Sequence, residues 1–169
     1  MSYYVIIRGP LGVGKSTIAR KLAEALKAGY VSIDDALHEY GLDRISEEEE
    51  CIPVNNFLRL NEMILPSVVR KLGEGEIVIL DGCFYHKEQI DHLIRNLPMP
   101  HYAFNLRATL RICIERDSGR KKAYGADAAT TVYDLVSRFD YGINIDTNDK
   151  TERQVVGEIL AHLPARSRR

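Results

Sequence analysis

Gly9-Pro10-Leu11-Gly12-Val13-Gly14-Lys15-Ser16-Thr17 is the stretch on which the fold turns. A glycine, four residues, then Gly14-Lys15-Ser16 is the spacing of a phosphate-binding loop. Glycines let the backbone curl so that successive N–H groups converge on phosphate oxygens. Lys15 adds a mobile cation for the β- and γ-phosphates, and Ser16 a hydroxyl for Mg²⁺. Residues 3–7, Tyr-Tyr-Val-Ile-Ile, run apolar into the loop. Residues 15–27 follow it, with Ile18, Leu22, Ala25 and Leu26 on one helical face. The helix would aim its positive end at the same anion. The spacing alone arises by chance about once in 200 chains of this length, and the strand-loop-helix context sharpens it.

Working outward, short β-rich runs alternate with helical patterns, as in a parallel α/β sheet. Further strands are expected at residues 30–33, 76–80, 102–106 and 142–145. Residues 34–75 form a long insertion. In it, Ser46 with Glu49 reads as a capping box opening a short helix. Residues 55–72 read as a helix with Leu60, Ile64, Val68 and Leu72 in register, kinked or divided by Pro66. A last helix starts at Thr151, boxed by Gln154, with Val155, Val156, Ile159, Leu160 and Leu163 inward. The tail, residues 166–169, reads as polar and frayed.

Composition bounds the rest. At 169 residues one domain is expected. Lys plus Arg total 23 against 24 Asp plus Glu, a net charge of -1, which argues against a strongly basic nucleic-acid binder. The three cysteines, Cys51, Cys83 and Cys113, are scattered and odd in number. They read as small apolar residues rather than a disulfide framework or zinc site. A reducing, cytoplasmic setting is expected, with no signal peptide and no membrane span.

Three later strings carry chemistry. Asp34-Asp35 closes the second expected strand, where an open α/β sheet binds its ligands. Either carboxylate could orient or deprotonate an acceptor hydroxyl, and either could instead cap the next helix. Leu80-Asp81-Gly82 ends the third strand. There Asp81 is a second Mg²⁺ contact or a plain turn aspartate. Arg116-Asp117-Ser118-Gly119-Arg120 ends a helix whose apolar face is Leu110, Cys113 and Ile114. Its arginines would neutralise charge on a transferring phosphoryl group, and residues 116–127 suit a closing lid. The alternative is a solvated basic helix end.

With these strings, the chain resembles the nucleoside-monophosphate kinase and shikimate kinase-like group of P-loop phosphotransferases. RDSGR is similar to the adenylate kinase lid, which implies Arg116 beside adenine and Arg120 on phosphate. VILDG is similar to their third strand, and Asp146-Thr147-Asn148 would border the adenine. Adenylate kinases follow DG with Phe-Pro-Arg, whereas Cys83-Phe84-Tyr85 stands here, and His38 stands near their other acceptor arginine. A phosphorylated acceptor needs such fixed positive charge. Asp34-Asp35 instead resembles the hydroxyl-activating aspartate of shikimate kinases and polynucleotide kinase-like proteins. Leu58-Arg59-Leu60-Asn61-Glu62 is similar to the carboxylate-binding FRxxE string of shikimate kinases, as is INIDTND, but their triple glycine is replaced by LDGCF.

The expected fold is an α/β three-layer P-loop NTPase architecture: a five-stranded parallel sheet flanked by helices, with an acceptor-binding insertion (34–75) and a lid (116–127). The expected activity is transfer of the γ-phosphate of Mg-ATP to a hydroxyl of a small, non-nucleotide acceptor. Lys15, Asp34, Asp35, Arg116 and Arg120 are the candidate catalytic residues. Gly9, Pro10, Leu11, Gly12, Val13, Gly14, Lys15, Ser16 and Thr17 would hold ATP with Arg116, Arg120, Asp146 and Thr147. Ser16 and Asp81 would hold Mg²⁺, and Asp34, His38, Arg59 and Gly82 the acceptor. Two other readings stay open: a nucleoside-monophosphate kinase using substitute arginines such as Arg59 and Arg44, and a non-catalytic ATP-binding switch.

Overall fold

Tyr4, Val5, Ile6 and Ile7 are fully buried, as a strand covered on both faces requires. In the computed structural model, which describes residues 1–165, they belong to β1 (Tyr4–Arg8), the central strand of the sheet. The other strands are β2 (Gly29–Ser32), β3 (Val78–Gly82), β4 (His101–Arg107) and β5 (Ile143–Asp146). All pair in parallel in the order β2-β3-β1-β4-β5.

Parallel strands need crossovers, and helices supply them. They are α1 (Lys15–Leu26), α2 (Ile33–Glu39), α3 (Val54–Gly73), α4 (Lys87–Asn96), α5 (Leu110–Ser118) and α6 (Ala126–Ser137), with α7 (Glu152–Ala161) closing the described chain. The period-two alternation of β1 splits the interior in two. Tyr4 and Ile6 face Phe57, Leu60, Val68 and Leu135 from α3 and α6. Val5 and Ile7 face Ile18, Leu22, Val155 and Ile159 from α1 and α7. Helix, sheet and helix make three layers. None of the helices, among the described residues, is long and apolar enough to cross a membrane.

Several expected boundaries move. β2 stops at Ser32, whose hydroxyl accepts a hydrogen bond from the Asp35 N–H (3.2 Å) and caps α2. Asp34 and Asp35 therefore sit in the first turn of a helix rather than at a strand end, and neither is its N-cap. β3 starts at Val78, because Glu76 N–H still closes α3 on the Lys71 carbonyl (3.0 Å). That shift carries Asp81 and Gly82 into the strand. Ser46 accepts from the Glu49 N–H, but no helix follows. Glu50 takes a left-handed backbone (φ 53) and Ser46 N–H bonds the Cys51 carbonyl, closing a single loop. α3 is one 20-residue helix with Pro66 inside it and the ring exposed, so proline does not divide it. The Thr151–Gln154 box is present on both sides. The expected frayed tail, 166–169, lies outside the described residues.

Candidate active site

Gly12 (φ 79) and Gly14 (φ 95) hold the left-handed turns that curl the loop between β1 and α1. At Gly12 a side chain is excluded twice over, since a Cβ would lie 2.0 Å from the Cys113 carbonyl oxygen. Gly14 is the N-cap of α1 and offers no side-chain cap, so the first-turn N–H groups stay available to an anion.

Lys15 is buried, with its ammonium 3.7 Å from Asp34 Oδ2. Burial pulls this ammonium down, but Cys83, Asp34 and Asp81 outweigh it and the net shift is upward. Cys83 Sγ donates to the same Asp34 oxygen at 3.8 Å. Burial, then the nearby Asp34 charge, pushes this thiol up to about 12, so it stands protonated beside the carboxylate. Ser16 Oγ donates to Asp81 Oδ1 at 3.3 Å, and Tyr30 OH donates to Asp81 Oδ2. Asp81 is fully buried, and burial holds its carboxyl above the usual range despite Tyr30 and Lys15. Burial and the bond to Asp81 also raise the Tyr30 phenol, to about 12. A carboxylate and a hydroxyl side by side, with the carboxylate short of solvation, form an oxygen-donor set that fits Mg²⁺.

Two hollows flank this centre. The smaller, about 340 Å³, runs over Gly12, Gly14 and Thr17 to Arg116, Arg120 and Thr147. Arg116 is fixed here, donating to the carbonyls of Val13 (3.1 Å) and Thr147 (2.8 Å) and to Thr147 Oγ1 (3.0 Å). Arg120 is exposed, 3.9 Å from the buried Asp117. The larger hollow, about 630 Å³, lies on the other side of Lys15. It is lined by Asp34, Asp35, His38, Phe57, Cys83 and Tyr85 among others. His38 Nδ1 is 2.7 Å from Asp43, and that hydrogen bond holds the Asp43 carboxyl below the usual range.

Among the residues singled out from sequence, Arg59, Gly82, Asp146 and Pro10 lie away from both hollows. Arg59 is exposed on α3, because Phe57, Leu60, Asn61 and Ile64 take the inward face. Gly82 packs against Ile33, where a Cβ would approach to 2.8 Å. Asp146 ties the turn after β5, accepting from Asn148 N–H (2.9 Å). Pro10 lies behind the loop, its carbonyl accepting from Val13 N–H (3.4 Å).

Other residues at the centre carried no sequence signal. Cys83 looked like a small apolar residue, yet it touches Asp34. Tyr30 was only a strand residue; the β2–β3 register, which pairs Ser32 with Asp81, is what could have found it. Asp117, inside the basic string, is buried and accepts from the N–H groups of Tyr124 and Gly125 (both 3.0 Å), shaping residues 119–125. Arg8 is fully buried and donates to the Phe84 and Val136 carbonyls and to Asn105 Oδ1. Glu49, Cys51 and His86 bring ligand atoms within 4.8 Å of one another, although His86 Nε2 also lies 2.8 Å from the Ile52 carbonyl. All three cysteines are buried and free.

Comparison with known proteins bears on the family and the fold. A family model described as an AAA domain matches residues 5–132. A protein named "Putative adenylate kinase" from Pyrococcus furiosus is 31% identical over 164 residues, covering 92% of this chain and 81% of that one. A shikimate kinase from Corynebacterium efficiens is 27% identical, covering 94% and 95%. Among solved structures, a sugar kinase from Janibacter sp. HTCC2649 superposes with a TM-score of 0.73 at 14% identity, covering 95% and 94%. A gluconokinase from Sinorhizobium meliloti 1021 superposes with 0.66 at 16%, covering 94% and 89%. At these identities the structural likeness speaks for the fold alone.

Proposed function

The chain belongs to the AAA domain family, within the P-loop kinase-like superfamily, and we propose that it transfers the γ-phosphate of ATP to a hydroxyl of a small, non-nucleotide acceptor. The observation that carries this reading is the position of Asp34, which lines the larger hollow and lies 3.7 Å from the loop lysine. An acceptor hydroxyl there gives its proton to Asp34. Its oxygen bonds to the γ-phosphorus while the bond to the β-phosphate oxygen breaks, releasing ADP. Lys15, the first-turn N–H groups of α1 and Arg120 balance the charge in flight. Ser16 and Asp81 are the residues to hold Mg²⁺, which when bound neutralises phosphate charge. Arg116, held by three hydrogen bonds, shapes the nucleotide groove, with Thr147 beside it. In this reading residues 34–75 bind the acceptor and residues 116–127 form a lid over the nucleotide.

A second reading, a nucleoside-monophosphate kinase, is favoured by the name of the Pyrococcus relative. Against it, no arginine among the described residues lines the larger hollow, and Arg44 and Arg59, the substitutes it would need, are both exposed outside it. ADP formation from Mg-ATP separates the two. One set of reactions receives pooled hydroxyl compounds and the other pooled nucleoside monophosphates, with Lys15→Ala and Asp34→Ala alongside. Stimulation by the hydroxyl pool, lost in both variants, is the expected result. Stimulation by monophosphates alone establishes the second reading.

A further inference from the structure

The larger hollow is built in two zones. Its floor is apolar and buried: Leu11, Leu37, Phe57, Cys83 and Tyr85. The Tyr85 hydroxyl accepts from Ile52 N–H (3.1 Å), and burial pushes its phenol far above the usual range, so it stays protonated. Its outer wall is polar and mostly acidic: Asp35, Asp43 and Glu50 stand there with His38 and Lys122. Of the two basic side chains on the wall His38 is held by Asp43 and Lys122 is exposed, one cation against three carboxylates, while at the inner end Lys15 faces Asp34. Arg20 reaches Asp35 at 3.9 Å from outside the hollow. The sign of the wall is thus opposite to what a carboxylate or phosphate on the acceptor needs, and an apolar floor gains nothing from a bare polyol.

We propose that the acceptor is a hydrophobic amino alcohol, its apolar body on the Phe57–Tyr85 floor, its hydroxyl at Asp34 and its protonated amine toward Asp43 and Glu50. This rests on the phosphotransferase reading above and narrows it to one charge class. The apolar zone supplies affinity by area and the acidic zone selects by sign, so exchanging the charge on one carbon skeleton isolates the second effect.

Three probes on one skeleton make the test: phenylalaninol, 3-phenylpropane-1,2-diol and 3-phenyllactate. Binding is read by calorimetry with the full chain loaded with Mg²⁺ and a non-hydrolysable ATP analogue, and transfer by ADP formation with ATP. Phenylalaninol is expected to bind about fivefold or more tighter than the diol, with phenyllactate weakest. The Asp43→Asn, Glu50→Gln double variant is expected to narrow the phenylalaninol-to-diol ratio by about fivefold. A flat series, or tighter binding of phenyllactate, overturns the inference. A ratio that the double variant leaves unchanged overturns the placement of the amine. Binding in the expected order with no Lys15-dependent transfer leaves the charge selection standing and sinks the kinase reading, so the two failures are told apart.

Discussion

The two hollows beside Lys15 are made in different ways. The nucleotide side is backbone and a short string: two left-handed glycines, the open end of α1, and one arginine bonded to Val13 and Thr147. The acceptor side is assembled from α2, the loop after it, α3, the end of β3 and α6. The first presents N–H groups and cations to an anion. The second presents an apolar floor and mostly carboxylates. On the proposed reading, phosphate chemistry and the choice of acceptor are therefore carried by different elements.

The harshest test of this division is Lys15→Ala, which should lower phosphoryl transfer by about 10³-fold or more while the fold survives, read by ADP formation and circular dichroism. Next is the choice within the aspartate pair. Asp34→Asn should cost about 10²–10³-fold in kcat with little change in KM for ATP, because in the proposed mechanism Asp34 takes the acceptor's proton. Asp35→Asn, exposed at the rim, should stay within about threefold. Equal losses from the two would break the assignment of the base.

Gly12→Ala sharpens the comparison on the nucleotide side. A Cβ 2.0 Å from the Cys113 carbonyl, on a backbone at φ 79, should cost about 2–4 kcal/mol, seen in the denaturant midpoint. Asp81→Asn should split stability from activity. In the folded chain the carboxyl sits above its ordinary 3.8, so protonation favours the fold. Below that ordinary value both states are protonated and the penalty is absent; it appears as pH rises through the folded pKa. The Asn variant should therefore melt higher than the parent at neutral pH without Mg²⁺, by a margin that vanishes in acid, and still lose transfer. The smallest effect belongs to Arg59→Ala, within about twofold in kcat/KM for any acceptor, because the side chain points away from the hollow.

The strand-loop-helix geometry around Lys15 was legible because it is local. Nine consecutive residues contain the turns, the cation and the hydroxyl, and no distant segment is needed to recognise them. Asp81 was legible for a related reason, as an acid closing an apolar run beside such a loop. The Thr151–Gln154 box was visible because a capping box spans only four consecutive residues. The acceptor side was not, since Phe57, Cys83 and Leu135 meet only through tertiary packing. Arg59 shows the hazard: its string matches a carboxylate-binding pattern, but the apolar stripe of α3 turns it outward. Strand ends slipped where a helix cap competed for the same residues, at Glu76 for α3 and at Ser32 for α2.

Arg8 has a consequence for how the chain reaches this state. Its three hydrogen bonds join residues 76, 97 and 128 positions away, and its guanidinium lies 4.1 Å over the Phe139 ring. Burial lowers its pKa to about 10, still charged at neutral pH, so the cation must keep water until all three acceptors arrive. The last of them is the Val136 carbonyl, near the end of α6. During synthesis the end of β1 therefore stays hydrated until Val136 has emerged.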